Sequence, residues 1–414
     1  MSDFVVHRGT TAKLGRIEGE LKIGNKARIE AAQGNLVYVS EGAYFDGSAE
    51  VNCDFECATL RVDHGGVLEV RGNLTVHKLL DVGHSIEATG TIRAEDIDVG
   101  GKIEAKTLIG SRLRVGGKVE VEELLEVESV NVGGVVEARG RVLIKDLDVG
   151  GAVEIGGGTI SGHIIVGGKF EAQTKLEFGE LNVFGRTELA SGSVGSKISA
   201  RGQLEVAGDL ECDEILVSGS AEIQGNCKSK RIKVDGKLEV SGSLQTSDEL
   251  EIYGTAEVNR EFEGRKVRVG GKLETRKMVV SDELLVSGSI EADQGIKAKS
   301  VKIGSGSRVE GFLVAENVDV GKSPYLVDWE KSWMGQIARA RLVGRMTRID
   351  DIYADYVYLG TNSRSGRVFA RTVEVGDGAT VEEISYTDTL KANLDRIHVE
   401  KPPVKVSSLP SPPL

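Results

Sequence analysis

An all-β, single-stranded parallel β-helix is predicted here: a β-solenoid of triangular cross-section with about seventeen residues per coil. Three observations predict it. A Val or Ile recurs on a fixed clock, apolar residues alternate with a period of two, and the composition is rich in Gly and small branched residues but poor in aromatics.

The clock marks are Val82, Val99, Val115, Val132, Val149, Val166, Val183 and Ala200, then Val217, Val234, Ile252, Val269, Val286, Ile303 and Val320. The steps are seventeen residues, with one of sixteen and one of eighteen. Within one unit, apolar residues fall at 234, 238, 240, 244 and 250, so the local spacing is that of strands with side chains alternately in and out. Gly, Ser and Asn interrupt every five or six residues, which predicts three short strands per coil joined at tight corners. Coils stacked at ~4.8 Å would build a rod on the order of 95 Å long from about twenty coils. Earlier segments such as Ile17-Glu-Gly-Glu-Leu-Lys-Ile and Gly47-Ser-Ala-Glu-Val show the same alternation, so the solenoid is expected to begin near residue 5.

Composition agrees. The chain of 414 residues has 54 Gly but 6 Pro, and aromatics make up 5%. Pro would remove ladder donors, and a chain so poor in aromatics must fill a narrow interior with branched aliphatics. The net charge of −12 argues against nucleic acid as a partner, because phosphate binding needs a basic surface. Cys53, Cys57, Cys212 and Cys227 make no disulfide or zinc pattern and read as small core residues. The N-terminus lacks a charged region followed by an apolar run, and no stretch approaches the ~18 apolar residues of a membrane span. A cytoplasmic location is the expectation.

Glu104, Glu120, Glu137, Glu154, Glu171, Glu188, Glu205, Glu222, Glu239, Glu257, Glu274 and Glu291 hold one repeated position, each between two inward residues. They are expected to form a solvent-facing carboxylate row. Neighbours at ~4.8 Å repel by about 0.9 kcal/mol in bulk water. Lys102, Lys118, Lys169, Arg186, Lys237 and Lys272, two residues earlier on the same side, offset part of this. The row is either a docking face for a basic partner or a solvated sheet surface that resists lateral aggregation.

The clock stops after Val320, dividing the chain into a solenoid (1–322), an insertion (323–346), further coils (347–400) and a Pro-rich tail (401–414) expected to lack structure. In the insertion Asp328 suits a helix N-cap, and Trp329, Trp333, Ile337 and Ala340 would form one apolar stripe over 328–341. That stripe is expected to latch onto a solenoid face, or else to dock a partner or a membrane surface. Phe4, Val5 and Val6, with Ile397 and Val399, are candidate end-to-end contacts or caps.

No catalytic set emerges. The six His do not recur in register; only His64 and His84 sit near one coil length apart. Gly321-Lys322-Ser323 lacks the Gly that a phosphate loop needs at Glu316. No enzyme, cofactor or metal is expected.

The phrases Ile17-Glu-Gly-Glu-Leu-Lys-Ile-Gly, Val39-Ser-Glu-Gly-Ala-Tyr-Phe-Asp-Gly-Ser-Ala-Glu-Val, Val234-Asp-Gly-Lys-Leu-Glu-Val-Ser-Gly-Ser-Leu and Val375-Gly-Asp-Gly-Ala-Thr-Val-Glu-Glu resemble bactofilins, the polymer-forming cytoskeletal proteins. The resemblance covers most of residues 15–400. It implies a right-handed β-helix, nucleotide-free end-to-end assembly into a homopolymer, and scaffolding of cell-envelope or shape-determining proteins. Two features depart from the family: a solenoid several times longer than a typical core, and the Trp-bearing insertion. A non-polymerising scaffold that binds partners through its acidic face or the 328–341 helix is the alternative; a β-helix enzyme or adhesin has less in its favour.

Overall fold

The structure, a computed structural model, describes residues 4–63, 65–321 and 346–413. It falls into two units, Met1–Ala207 and Gly208–Leu414, each a stack of parallel coils. The described residues are all-β, with no helix among them. The expected 328–341 helix, including Trp329 and Trp333, lies outside the described residues.

One coil shows why this sequence folds so. In Lys102–Val115 the side chains of Ile103, Ala105, Leu108, Leu113 and Val115 are buried, and their neighbours face outward. The alternation slips at residues 106 and 111, so the turn divides into three faces: 102–105, 107–110 and 112–115. A Gly-Gly corner at 116–117 leads into the next coil. Ladder register carries each inward position onto its equivalent one coil on: Ile103 lies beside Val119, Leu108 beside Leu125 and Val115 beside Val132. The interior is therefore a set of aliphatic columns. The clock is one of them, running from Val82 to Ala200 in the first unit and from Val217 to Val320 in the second. Beyond the insertion it resumes directly, with Val320 beside Leu359, Leu359 beside Val375 and Val375 beside Ala392. Among the described residues the stack runs to Gly321 and continues with the strand Thr347–Ile349, which pairs with Arg308–Glu310.

Corners are held by close approach. In the second unit Thr255, Lys272 and Ser289 donate backbone N–H bonds of 2.9 Å to the carbonyls of Gly236, Gly254 and Gly271. A Cβ on Gly271 would overlap the carbonyl oxygen of Gly254, and one on Gly288 that of Gly271. The glycines are needed for space, since their φ values are ordinary. The corner between the first and second faces is satisfied by stacked side chains: Asn226 N–H donates to Asp209 Oδ1 at 2.7 Å, and Ser243 N–H to Asn226 Oδ1 at 3.0 Å.

Val6 is a core residue of the first coil at 4% exposure. One expectation is corrected. The tail is not structureless at its start: Val404–Lys405 pairs with Ser385 and Tyr386, and Val406 N–H donates to the Tyr386 carbonyl at 2.9 Å. The physical reason is the open ladder edge of the last coil, which accepts an extended segment. Pro402 and Pro403 precede the paired residues and remove no donor from them.

Gly271→Ala is expected to lower stability by about 1–3 kcal/mol, because the coil must shift to admit the methyl group. Gly15→Ala, whose Cβ would meet open space, should stay within about 0.5 kcal/mol. Chemical denaturation followed by circular dichroism measures both, and equal effects would refute the close-approach account.

Candidate functional site: the glutamate ladder and the terminal edges

Register brings the repeated glutamates side by side. In the first unit Glu104 lies beside Glu120, Glu120 beside Glu137, Glu137 beside Glu154, Glu154 beside Glu171, Glu171 beside Glu188 and Glu188 beside Glu205. In the second, Glu222 adjoins Glu239, then Glu257, Glu274 and Glu291 follow. All of these side chains are half-buried or exposed, on the outer side of the first face.

The structure adds members that the seventeen-residue clock missed. Glu50, Glu69 and Glu87 lead into Glu104, and Glu310 follows Glu291. The turns containing them are eighteen or nineteen residues long in several cases, so a fixed period passes over them. The signal that finds them is local: Glu between two inward residues, as in Ala49-Glu50-Val51 and Leu68-Glu69-Val70.

The row is braced by cations. Lys102 Nζ lies 2.6 Å from Glu104 and 2.5 Å from Glu120, so one ammonium spans two coils. Lys118 bridges Glu120 and Glu137 in the same way, and Arg186 lies 3.0 Å from Glu188 and 2.9 Å from Glu205. Lys169 repeats the geometry with Glu171 at 2.6 Å and Glu188 at 3.6 Å. The pattern follows from strand geometry, because a side chain two residues earlier stands beside the carboxylate on the same face. Where Val135 and Ala152 take the cation's place the brace lapses, and Glu154 instead accepts a 2.6 Å bond from Gln173 Nε2.

Hydrogen bonds from Lys102 and Lys118 hold the Glu120 carboxyl down to about 2. The same bonds raise both lysines above their ordinary range. These groups keep contact with solvent, whose screening keeps each bridge weak, on the order of 0–1 kcal/mol.

The terminal coils are the second candidate. Phe4–Val6 pairs with Leu21–Ile23, and no other described strand pairs with it. Phe4 is 45% and Val5 53% exposed. At the other terminus Ile397 and Val399 are half-buried, while Leu394 and Val404 stand 58% and 50% exposed. Leu394 and Val404 were not singled out from sequence, because one sits in an irregular corner and the other in the Pro-rich segment.

A shallow groove of about 630 Å³ runs along the second face of the second unit, floored by the small residues Cys212, Ser229, Thr246 and Gly264. Its charged walls pair internally, Lys230 with Asp213 at 2.9 Å and Lys228 with Glu211 at 3.4 Å. The four cysteines are buried; burial lifts the Cys53 thiol to about 11 and the Cys57 thiol to about 12. His64 lies outside the described residues, and among the described residues no group of three or more His, Cys, Asp or Glu is placed to hold a metal. Nor is any described helix long and apolar enough to cross a membrane.

Lys118→Ala is expected to let the Glu120 pKa rise from about 2 toward the ordinary carboxylate value. The depressed value belongs to the folded state, so the bridge's contribution is present above about pH 4.5 and is lost as pH falls toward 2. Carboxyl-selective NMR titration of the wild type and the variant reads this directly; unchanged titration would refute the bridge.

No protein-family model, curated protein or solved structure matches this chain.

Proposed function

We propose that this chain is a structural scaffold whose coil stacks pair end to end into nucleotide-independent filaments, in the manner its resemblance to bactofilins implies. One observation carries the reading: the first coil presents an unpaired strand edge, Phe4–Val6, with Phe4 and Val5 exposed, and the segment stacked on the last coil leaves the apolar side chains of Leu394 and Val404 exposed. An open edge offers unmade backbone hydrogen bonds to any strand that can match it. Proteins that must stay monomeric blunt such edges with charge, a helix or a bulge. At the N-terminal edge the strand reads Phe-Val-Val, with no charged residue in it.

The proposal places the filament in the cytoplasm, with cell-envelope or shape-determining proteins as its partners. A second reading, partner binding through the glutamate row, has weaker support, since bridging lysines and arginines occupy much of that row.

At physiological salt and without nucleotide, negative-stain electron microscopy of the full-length protein is expected to show filaments. Val5→Glu and Leu394→Glu should each abolish them while leaving thermal unfolding unchanged, because both side chains face solvent. Discrete particles at high protein concentration, or filaments undiminished in both variants, would overturn end-to-end assembly.

A further inference from the structure

The third face of the second unit carries a charge pattern unlike the glutamate row. Its outward residues change sign from each coil to the next. Glu214 lies beside Arg231, and Arg231 and Lys233 lie beside Glu249 and Glu251. Glu249 and Glu251 adjoin Lys266 and Arg268, and Lys266 adjoins Glu283. Lys302 and then Asp319 occupy the following two coils. The sign therefore alternates over seven successive coils. In the first unit the same face alternates only in isolated steps, Arg61 to Asp81, Asp96 and Asp98 to Arg112 and Arg114, and Glu180 to Lys197, interrupted by Asp81 beside Asp98 and by the neutral Ser129 and Asn131. Alternation is thus no general requirement of the stack.

Some of these charges pair within the chain, as in Arg268 with Glu251 at 2.8 Å and Lys302 with Glu283 at 2.6 Å. The side chains nonetheless keep an open side: Arg231 is 59% exposed, Lys302 46% and Glu283 31%. A flat face with alternating sign is complementary to itself, and symmetry decides how. With a two-fold axis along the stack, every coil would meet its own copy, like charge against like. With a two-fold axis along the strands, lying between two coils, every coil meets one of opposite sign. An axis between the Glu249 and Lys266 coils sets these two doubly charged coils of opposite sign against each other, and the Arg231 coil against Glu283.

We infer that the third face of the second unit is a lateral docking surface for a second copy of this chain, laid antiparallel with this register. The inference does not depend on end-to-end assembly. In this register the six coils from Glu214 to Lys302 pair, and six coils at ~4.8 Å with strands of about four residues offer a strip on the order of 400 Å² per partner. That is about half of a standard interface, so the contact is weak and sensitive to salt. Residue 251 faces 268 of the partner in this register, whereas a parallel pair would set coil 268 against coil 268.

The test uses the full-length chain carrying Val5→Glu, so that end contacts do not contribute. Native cysteines are buried, so Glu251→Cys and Arg268→Cys each introduce an accessible thiol. With a short bismaleimide at low salt, the mixture of the two variants is expected to cross-link about tenfold more than either alone, and high salt should remove the difference. A second pair of variants tests charge without a thiol. Arg231→Glu, Lys233→Glu, Lys266→Glu, Arg268→Glu and Lys302→Glu together make the strip uniformly acidic; Glu214→Lys, Glu249→Lys, Glu251→Lys, Glu283→Lys and Asp319→Lys make it basic. Each set alone should sediment as a monomer, and their mixture should associate. A variant set that circular dichroism shows unfolded is replaced by its Gln equivalents, which should abolish association without restoring it on mixing. Cross-linking of Arg268→Cys with itself at the level of the mixture, or no association of the oppositely charged sets, would overturn the proposal.

Discussion

The coil-to-coil backbone ladder is the constraint on which everything else in this molecule depends. Each strand takes its hydrogen bonds from the turn before and the turn after, at the fixed inter-strand spacing of ~4.8 Å. That spacing leaves no room at the corners for a side chain pointing along the stack, which is why Gly236, Gly254, Gly271 and Gly288 follow one another there. It also sets the interior, because inward residues touch their equivalents above and below as well as across the coil. Aliphatic columns satisfy that geometry better than aromatics, and Phe170 and Phe262 stand where neighbouring positions are small: Ala172 beside the first, Gly264 beside the second.

This constraint explains how much was legible in the sequence. An inward column repeats one residue type at one interval, so the Val82–Ala200 and Val217–Val320 series could be read without coordinates. The glutamate row was read the same way, on residues that strand alternation places outward. What was lost is what the interval does not carry. Turns near the N-terminus vary, with Phe4 beside Leu21 but Leu21 beside Ala43, because loops at their corners differ in length while the strands keep register. Glu50 and Glu310 fell outside the count for that reason. The tail misled through composition: five prolines suggested no structure, yet an extended segment is what an open edge can bind.

The outer faces are freer than the interior, and the two charged faces use that freedom differently. On the first face one sign dominates, and repulsion along the row is relieved by a cation two residues earlier that reaches the next coil. On the third face of the second unit relief comes from the neighbouring coil itself, by alternation. Both arrangements make weak exposed ion pairs, and neither is needed to define the fold, since the columns and ladders do that. The alternating pattern was invisible to a search for a single repeat because its true period is two coils, and because its charges are shared between two outward positions, 231 and 233 or 249 and 251.

The same independence of ladder and surface accounts for the insertion. Val320 and Leu359 are ladder neighbours although they are thirty-nine positions apart in sequence, so the ladder keeps its register across the interval between Gly321 and Met346. Loop closure costs grow only slowly with length, so a corner can carry such an insertion with little loss of stability. An interruption inside a face would have a different outcome. A one-residue slip there would turn a whole inward set to solvent and bring its polar partners into the core. Insertions are therefore confined to corners and outward charges vary at will. At the last described coil the ladder takes a further strand in the same way, with Val404–Lys405 pairing with Ser385 and Tyr386.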